Sequence, residues 1–443
     1  MNRKYNYSQI LKVAYPIFLT LLVQNLIQVT STAFLGHVGE VELGASAIAG
    51  IFYIVLFMLA FGFSTGSQIL IGRRNGEKNY DKIGEIVVHG SLFLFLLALV
   101  LFFLTRTFSE NILSSLLSSR NVLEAASKYL NWRIYGLFFS VINVMFRAFY
   151  VGITNTKVLS FNAILMGSVN VILDYLLIFG NWGFPELGIT GAAIASVASE
   201  AASVLFFIIY TTTTIDLKKY GFTSICFNKL LVIKNILNVS LSLMIQYFLS
   251  LGTWLFFFLA IEHMGETQLA ISNVIRSLYM IISIPIFALG ATTNTLVSNT
   301  IGAGEKSEVI PLLWRIARMS LSVIAVIIIP ISIFPELALS VYSSNTELIK
   351  ASIPSLYVIL AALPVIAVST VFFNSVSGTG NTRTALFIEV ATLGIYISYM
   401  WFVTGYLKAS LAICWTTEPL YWGCILLWSF IYMKWGNWQN RKI

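Results

Sequence analysis

Four carboxyl side chains lie in stretches where almost nothing else is charged: Asp174, Glu200, Glu389 and Glu418. An ionisable group at the centre of an apolar helix costs about 2.5–3.5 kcal/mol on insertion scales, so such groups mark where ions, water or substrate pass. A carboxyl group taken out of water exchanges a proton more readily near neutral pH, or holds a sodium ion with neighbouring oxygens. Asp174 has the richest surroundings. Asn170 stands one helical turn before it and Asn162 two turns earlier, and an amide and a carboxylate at i and i+4 make a small oxygen cluster. The competing reading is neutralisation: Arg133, Arg147 and Arg276 also fall in apolar stretches and need partners. Glu389, Glu418 and Arg276 share the second half of the chain and make one such set.

Uncharged polar residues are patterned too. Thr20, Gln24, Gln28 and Ser31 keep to one narrow helical face, as do Ser196, Ser199, Glu200 and Ser203. In the second half Gln246 and Ser250 fall opposite Thr20 and Gln24. Two readings stand side by side, a wetted cavity lining and hydrogen-bonded glue between packed helices. The serines alone favour glue, whereas a stripe containing Glu200 favours the cavity. His89 reads as a packed, hydrogen-bonded residue rather than a proton relay. Cys226, Cys414 and Cys424 have no ligand spacing, so neither a metal site nor a disulfide framework is expected. No cofactor is expected beyond a coupling ion.

These residues must be positioned by helices in a bilayer. The chain is 58% hydrophobic and 10% charged, against about 25% charged in a soluble domain. At roughly 20 apolar residues per span, its apolar runs lie near 12–35, 45–71, 86–105, 129–151, 158–180, 188–210, 236–261, 269–297, 312–335, 352–376, 384–406 and 412–433. Strand-type alternation is absent, which argues against a β-barrel. The first run is too long and too polar, with Gln24, Asn25 and Gln28, for a cleaved signal, and reads as the first span.

The chain also repeats itself. Gly152-Ile-Thr-Asn-Thr-Lys157 returns as Gly378-Thr-Gly-Asn-Thr-Arg383, an offset of 226 (378 − 152). His37, Gly39, Glu40 and Leu43 return as His263, Gly265, Glu266 and Leu269 at the same offset (263 − 37). Gly76-Glu-Lys78 returns as Gly304-Glu-Lys306 at 228 (304 − 76). The expected fold is an all-α polytopic membrane protein of twelve transmembrane helices. They form two parallel six-helix repeats about a pseudo-twofold along the membrane normal. The expected lobes are 1–226 and 227–443, with a linker from Thr211 to Asn235.

The net charge of +8 is an orientation signal rather than a nucleic-acid patch. With the N-terminus in the cytoplasm, that side receives Arg3, Lys4, Lys12, Arg73, Arg74, Lys78, Lys82, Lys157, Lys218 and Lys219 in the first half alone. The opposite side holds only Arg106, Arg120, Lys128, Lys350 and Lys408 along the whole chain. Both termini are thus expected in the cytoplasm, with the protein in the plasma (inner) membrane.

The segment Asn170-Val-Ile-Leu-Asp174, followed by Gly188-Ile-Thr-Gly-Ala-Ala-Ile-Ala-Ser196, resembles spans 5–6 of multidrug and toxic compound extrusion (MATE) transporters. Thr32-Ala-Phe-Leu-Gly-His37 resembles the end of the first span in their DinF-like branch, and the Gly-x-x-Asn-Thr-(Lys/Arg) turns match too. The likeness runs from about Leu11 to Trp428. It implies an antiporter that expels amphipathic, often cationic compounds while protons or sodium ions run inward, through two lobes that open alternately. By position it makes Asn170 and Asp174 the span 5 cation-site pair, Ser196 a hydroxyl beside them, and Pro16 a first-span bend. The chain departs from the pattern at Ser31, where the family has an aspartate. The second role then falls to Ser31 hydroxyl help, to Glu200, or to the acids of the second half.

The expected function is therefore cation-coupled export of small amphipathic or cationic molecules by a monomer in the bilayer, without nucleic acid. The alternative is a flippase for a lipid-linked saccharide, though three intramembrane arginines balanced by four acids make no strongly basic cavity. A membrane enzyme would need a catalytic constellation or a sizeable domain outside the bilayer. A channel would need a selectivity filter. Neither is visible.

Overall fold

The computed structural model describes residues 5–117, 119–223, 230–342 and 345–440. Among these residues it is helical, with no strand. In chain order the helices are α1 (Tyr7–Val38), α2 (Glu40–Gly76), α3 (Asp81–Leu116), α4 (Arg120–Arg133), α5 (Gly136–Gly152), α6 (Lys157–Phe179) and α7 (Ile189–Thr214). Then follow α8 (Leu230–Glu262), α9 (Glu266–Gly302), α10 (Val309–Ile333), α11 (Pro335–Ser340), α12 (Thr346–Gly378), α13 (Thr382–Trp401), α14 (Leu411–Cys414) and α15 (Thr417–Trp435). Among the described residues ten helices are long and apolar enough to cross a membrane, and α4 with α5 makes an eleventh as a bent pair. The twelfth apolar run is α14 and α15, where Tyr421, Trp422, Trp428 and Tyr432 lower the hydropathy without adding charge. Large side chains such as Leu96, Phe103, Phe161, Leu205, Val326 and Phe387 point outward. Such a surface needs hydrocarbon around it, and the protein is a polytopic membrane protein.

The repeated motifs fall at matching joints. Gly36–Leu43 links α1 to α2 and Glu262–Leu269 links α8 to α9; Gly152–Lys157 links α5 to α6 and Gly378–Arg383 links α12 to α13. The chain divides into two compact units, residues 19–244, and residues 1–18 with 245–443. Each division falls inside a helix, α1 or α8. The expected lobe boundary at 226/227, and Cys226, lie outside the described residues.

In the unit 19–244, α6 packs along α7, and α2 along α4 and α5. Small residues set the closest approaches. A side chain at Gly66 or Gly62 of α2 would meet the backbone of Ser240 or Met244 on α8. Its apolar core gathers Leu35, Ala45, Ala49, Leu130, Ile178 and Ala192. After α6 the chain turns at Gly180, whose φ of 69° is the left-handed conformation a helix C-terminus favours in glycine. Among the described residues, the span made by α4 and α5 is sharply bent, by 51°. There is no proline at the break. Leu137 and Phe138 donate to carbonyls three residues back, and Gly136 lies tight against Arg133 and Glu200.

The unit 1–18 with 245–443 is built on α12, which carries Pro354 and Pro364 and packs against α9, α10 and α15. Its core gathers Phe257, Tyr279, Tyr396, Ile366 and Trp415. Arg315 on α10 donates to the Tyr5 carbonyl at 2.6 Å and to Glu308 at 3.0 Å, which ties the start of α1 to this unit.

Candidate functional site

The helix α6 buries one polar row, Asn162, Asn170 and Asp174, against the rest of its unit. Asp174 is 0% exposed and Asn170 1%. Across from them, the face of α1 that carries Thr20, Gln24, Gln28 and Ser31 delivers one residue to the acid. Ser31 Oγ donates to Asp174 Oδ2 at 2.5 Å and stands 3.4 Å from Asn170 Oδ1. Asp174 Oδ1 and Asn170 Nδ2 are buried and have no hydrogen-bond partner. Three side chains thus bring together one carboxylate, one amide oxygen and one hydroxyl, with a carboxylate oxygen left over. A buried group of that kind is costly unless something binds it. A proton or a small hard cation fits the donor set.

The other residues of the α1 face behave differently. Thr20, half-buried, donates to the Leu159 carbonyl of α6 at 3.3 Å, whereas Gln24 and Gln28 are exposed.

The stripe on α7 does not join Asp174. Glu200 is held by both terminal guanidinium nitrogens of Arg133, at 2.6 and 3.0 Å. The guanidinium lies 3.7 Å from the Tyr53 ring centroid, and the Tyr53 hydroxyl meets Ser140 Oγ at 2.9 Å. Glu200 thus serves as the counter-charge to a buried arginine, one of the two roles open to it in the sequence. A chain of amides and a hydroxyl runs on from it. Asn162 Nδ2 donates to Ser203 Oγ, Ser203 donates to Asn143 Oδ1, and Asn143 Nδ2 donates to the Glu200 carbonyl, at 2.8, 2.8 and 3.1 Å. Asn162 therefore bonds to the α7 network while lying on the helix of Asp174. Ser199 turns back to the Ser196 carbonyl at 2.8 Å, and Ser196 is half-buried. Arg147 lies over the Phe61 ring.

In the other unit Glu389 on α13 is fully buried and accepts from Ser250 and Tyr421, each at 2.7 Å and each on Oε1. Glu418 accepts from the Tyr279 hydroxyl at 3.3 Å. Gln246, one turn before Ser250, is buried with Oε1 unpartnered. Arg276 stands over the Phe258 ring at 4.8 Å rather than on an acid. The three do not form an ion-paired set. His89 is buried and its Nδ1 lies 2.8 Å from the Glu85 carbonyl. Cys414 is buried and Cys424 half-buried, both free. No three His, Cys, Asp or Glu side chains converge among the described residues.

Sequence reasoning did not single out Asn143, Tyr53, Tyr279 or Tyr421. For two of these a signal exists: Tyr53 and Tyr279 are 226 residues apart (279 − 53), and each stands in the polar cluster of its own unit.

The model of the MatE family matches residues 16–176 and 239–402. The chain is 24% identical to a probable multidrug resistance protein YoeA of Bacillus subtilis, over 97% of this chain and 93% of that protein. It is also 24% identical to a probable multidrug resistance protein NorM of Thermotoga maritima, over 98% and 94%. Among solved structures, the eukaryotic MATE transporter AtDTX14 superposes with a TM-score of 0.86 at 21% identity, over 98% and 96% of the two chains. A multidrug resistance MATE family transporter of the MOP superfamily, in an outward-facing conformation, gives 0.87 at 18% identity, over 98% and 96%. At these identities the structural likenesses speak to the fold.

Proposed function

This chain belongs to the MatE family, and we propose that it is a cation-coupled exporter of small amphipathic or cationic compounds. It is a transporter and not an enzyme. Its place is a plasma membrane, with both termini on the cytoplasmic side, and it works as a monomer. The observation that carries the coupling is Asp174, wholly buried, held on one oxygen by Ser31 and open on the other.

A proton or sodium ion enters at Asp174 Oδ1, with Asn170 Oδ1 and Ser31 Oγ as further oxygens. Ser31 stands where the resemblance places an aspartate, so one carboxylate and two neutral oxygens do the work. Binding there favours one conformation of the transporter and substrate binding favours another, each through differential affinity. Driving such an equilibrium from 1:99 to 99:1 takes about 5.5 kcal/mol of that difference. Substrate thereby meets the two sides of the membrane in alternation. Glu200, neutralised by Arg133, stabilises the unit and takes no ion.

The experiment is transport in proteoliposomes with imposed proton and sodium gradients, against a panel of cationic dyes. Dye movement that follows one imposed gradient and stops on its collapse is the expected result. Dye movement indifferent to both gradients would remove the reading.

A further inference from the structure

The unit 1–18 with 245–443 contains a second polar cluster that the Asp174 reading leaves unused. Glu389 and Glu418 are 0% and 7% exposed, in helices α13 and α15 that pack together. Tyr421 links them: its hydroxyl donates to Glu389, and it lies within electrostatic reach of Glu418 and Tyr279. Tyr396 closes the side, its ring 5.9 Å from that of Tyr421 and edge-on to it. In the unit 19–244 the tyrosine at the matching repeat position, Tyr53, supports a guanidinium that neutralises the nearby acid. Here Tyr279 bonds an acid directly, and among the described residues no lysine, arginine or histidine pairs with Glu389 or Glu418. Arg276, on the same helix as Tyr279, stands over Phe258.

The hydrogen bonds on Glu389 are one-sided. Both donors, Ser250 and Tyr421, reach Oε1, and Oε2 is buried with no partner. An ionised carboxylate spreads its charge over two oxygens and takes donors at each. A neutral acid accepts on its carbonyl oxygen and carries hydrogen on the other. Two further oxygens lie nearby in the helices without partners. The Thr392 hydroxyl, fully buried, is one turn along the same face of α13 as Glu389. Gln246 Oε1, on a residue 6% exposed, is one turn before Ser250 on α8. Neither is hydrogen-bonded to Glu389 Oε2, so the cluster holds three buried oxygens without partners. An uncompensated charge at this depth would be strongly destabilising.

We propose that Glu389 is a second proton-binding site, taking one proton on Oε2 while Ser250 and Tyr421 hold Oε1. The charge of the cluster changes by one when that proton binds, with Glu418 and three tyrosines as its titratable neighbours. The inference rests on the exporter reading for what the proton does in transport, but the proton itself is read separately.

The test is pH-difference infrared spectroscopy on the full-length protein in liposomes. A protonated-carboxyl C=O band is expected in the wild type, kept in Asp174→Asn and lost in Glu389→Gln. Tyr421→Phe, which removes one hydrogen bond from the carbonyl oxygen, is expected to keep that band and shift its frequency. That variant decides the matter if Glu389→Gln fails to fold. A band unchanged by both Glu389→Gln and Tyr421→Phe, or one that sodium abolishes at fixed pH, overturns the assignment. Failure of dye export to follow any gradient would touch the exporter reading and leave this spectrum standing.

Discussion

At the scale of single residues, the contact between Ser31 and Asp174 decides how the cation site behaves. A hydrogen bond to a charged group contributes about 1.5–3 kcal/mol. Ser31 donates to the ion-free carboxylate and favours that form, so Ser31→Ala is expected to tighten the apparent proton affinity of transport by up to roughly 10- to 150-fold while leaving the maximal rate nearly intact. Initial dye efflux against cation concentration measures it, and an unchanged half-saturation would remove Ser31 from the site. The pairing of Asn170 with Asp174 was legible because a one-turn spacing is a property of any helix. The partner on α1 was not, since nothing local connects residues 143 positions apart (174 − 31). The polar stripe on the first span marked Ser31, but only the resemblance tied it to Asp174, as the residue standing where an aspartate is usual. Glu200 shows the opposite limit. Three arginines and four acids in apolar runs can be matched in many ways, and only packing selects Arg133 for Glu200.

At the scale of elements, the bend between α4 and α5 and the ion pair beside it belong together. Arg133 ends α4, Gly136 begins α5, and Glu200 reaches them from α7. Breaking a buried pair by removing one partner costs about 3–5 kcal/mol, while removing both is far milder. Arg133→Leu or Glu200→Leu alone should lower the melting temperature of the purified protein sharply, and the double variant should recover most of the loss. Equal losses in single and double variants would show that the two residues act independently. Gly66 on α2 offers a second probe. Its added side chain would run into Ser240 on α8, so Gly66→Leu is expected to destabilise the unit 19–244, as overpacking generally does by about 1–3 kcal/mol. A melting temperature equal to the parent's would show that α2 and α8 have room to part. The apolar runs marked these helices from sequence, because a bilayer imposes a length on every span. The bend went unseen because hydropathy averages over a run and carries no record of a kink. The division inside α1 and α8 was equally invisible, since both are unbroken apolar runs.

At the scale of the whole molecule, the number of protons carried sets what the membrane potential can drive. One elementary charge crossing about 100 mV releases ~2.3 kcal/mol, enough for a roughly 50-fold gradient. Exchange of one proton for one monovalent cationic dye moves no net charge and gains nothing from the potential. With protons at both Asp174 and Glu389, the same exchange moves one net charge. Efflux of a monovalent cationic dye is therefore expected to speed up when valinomycin and potassium impose an inward-driving potential. Glu389→Gln should lose that response while still following a pH gradient. The most direct test of the central claim remains the acid on α6. Purified Asp174→Asn, reconstituted beside the wild type, should insert and melt normally yet show no gradient-driven ethidium efflux; efflux at the wild-type rate would contradict the account.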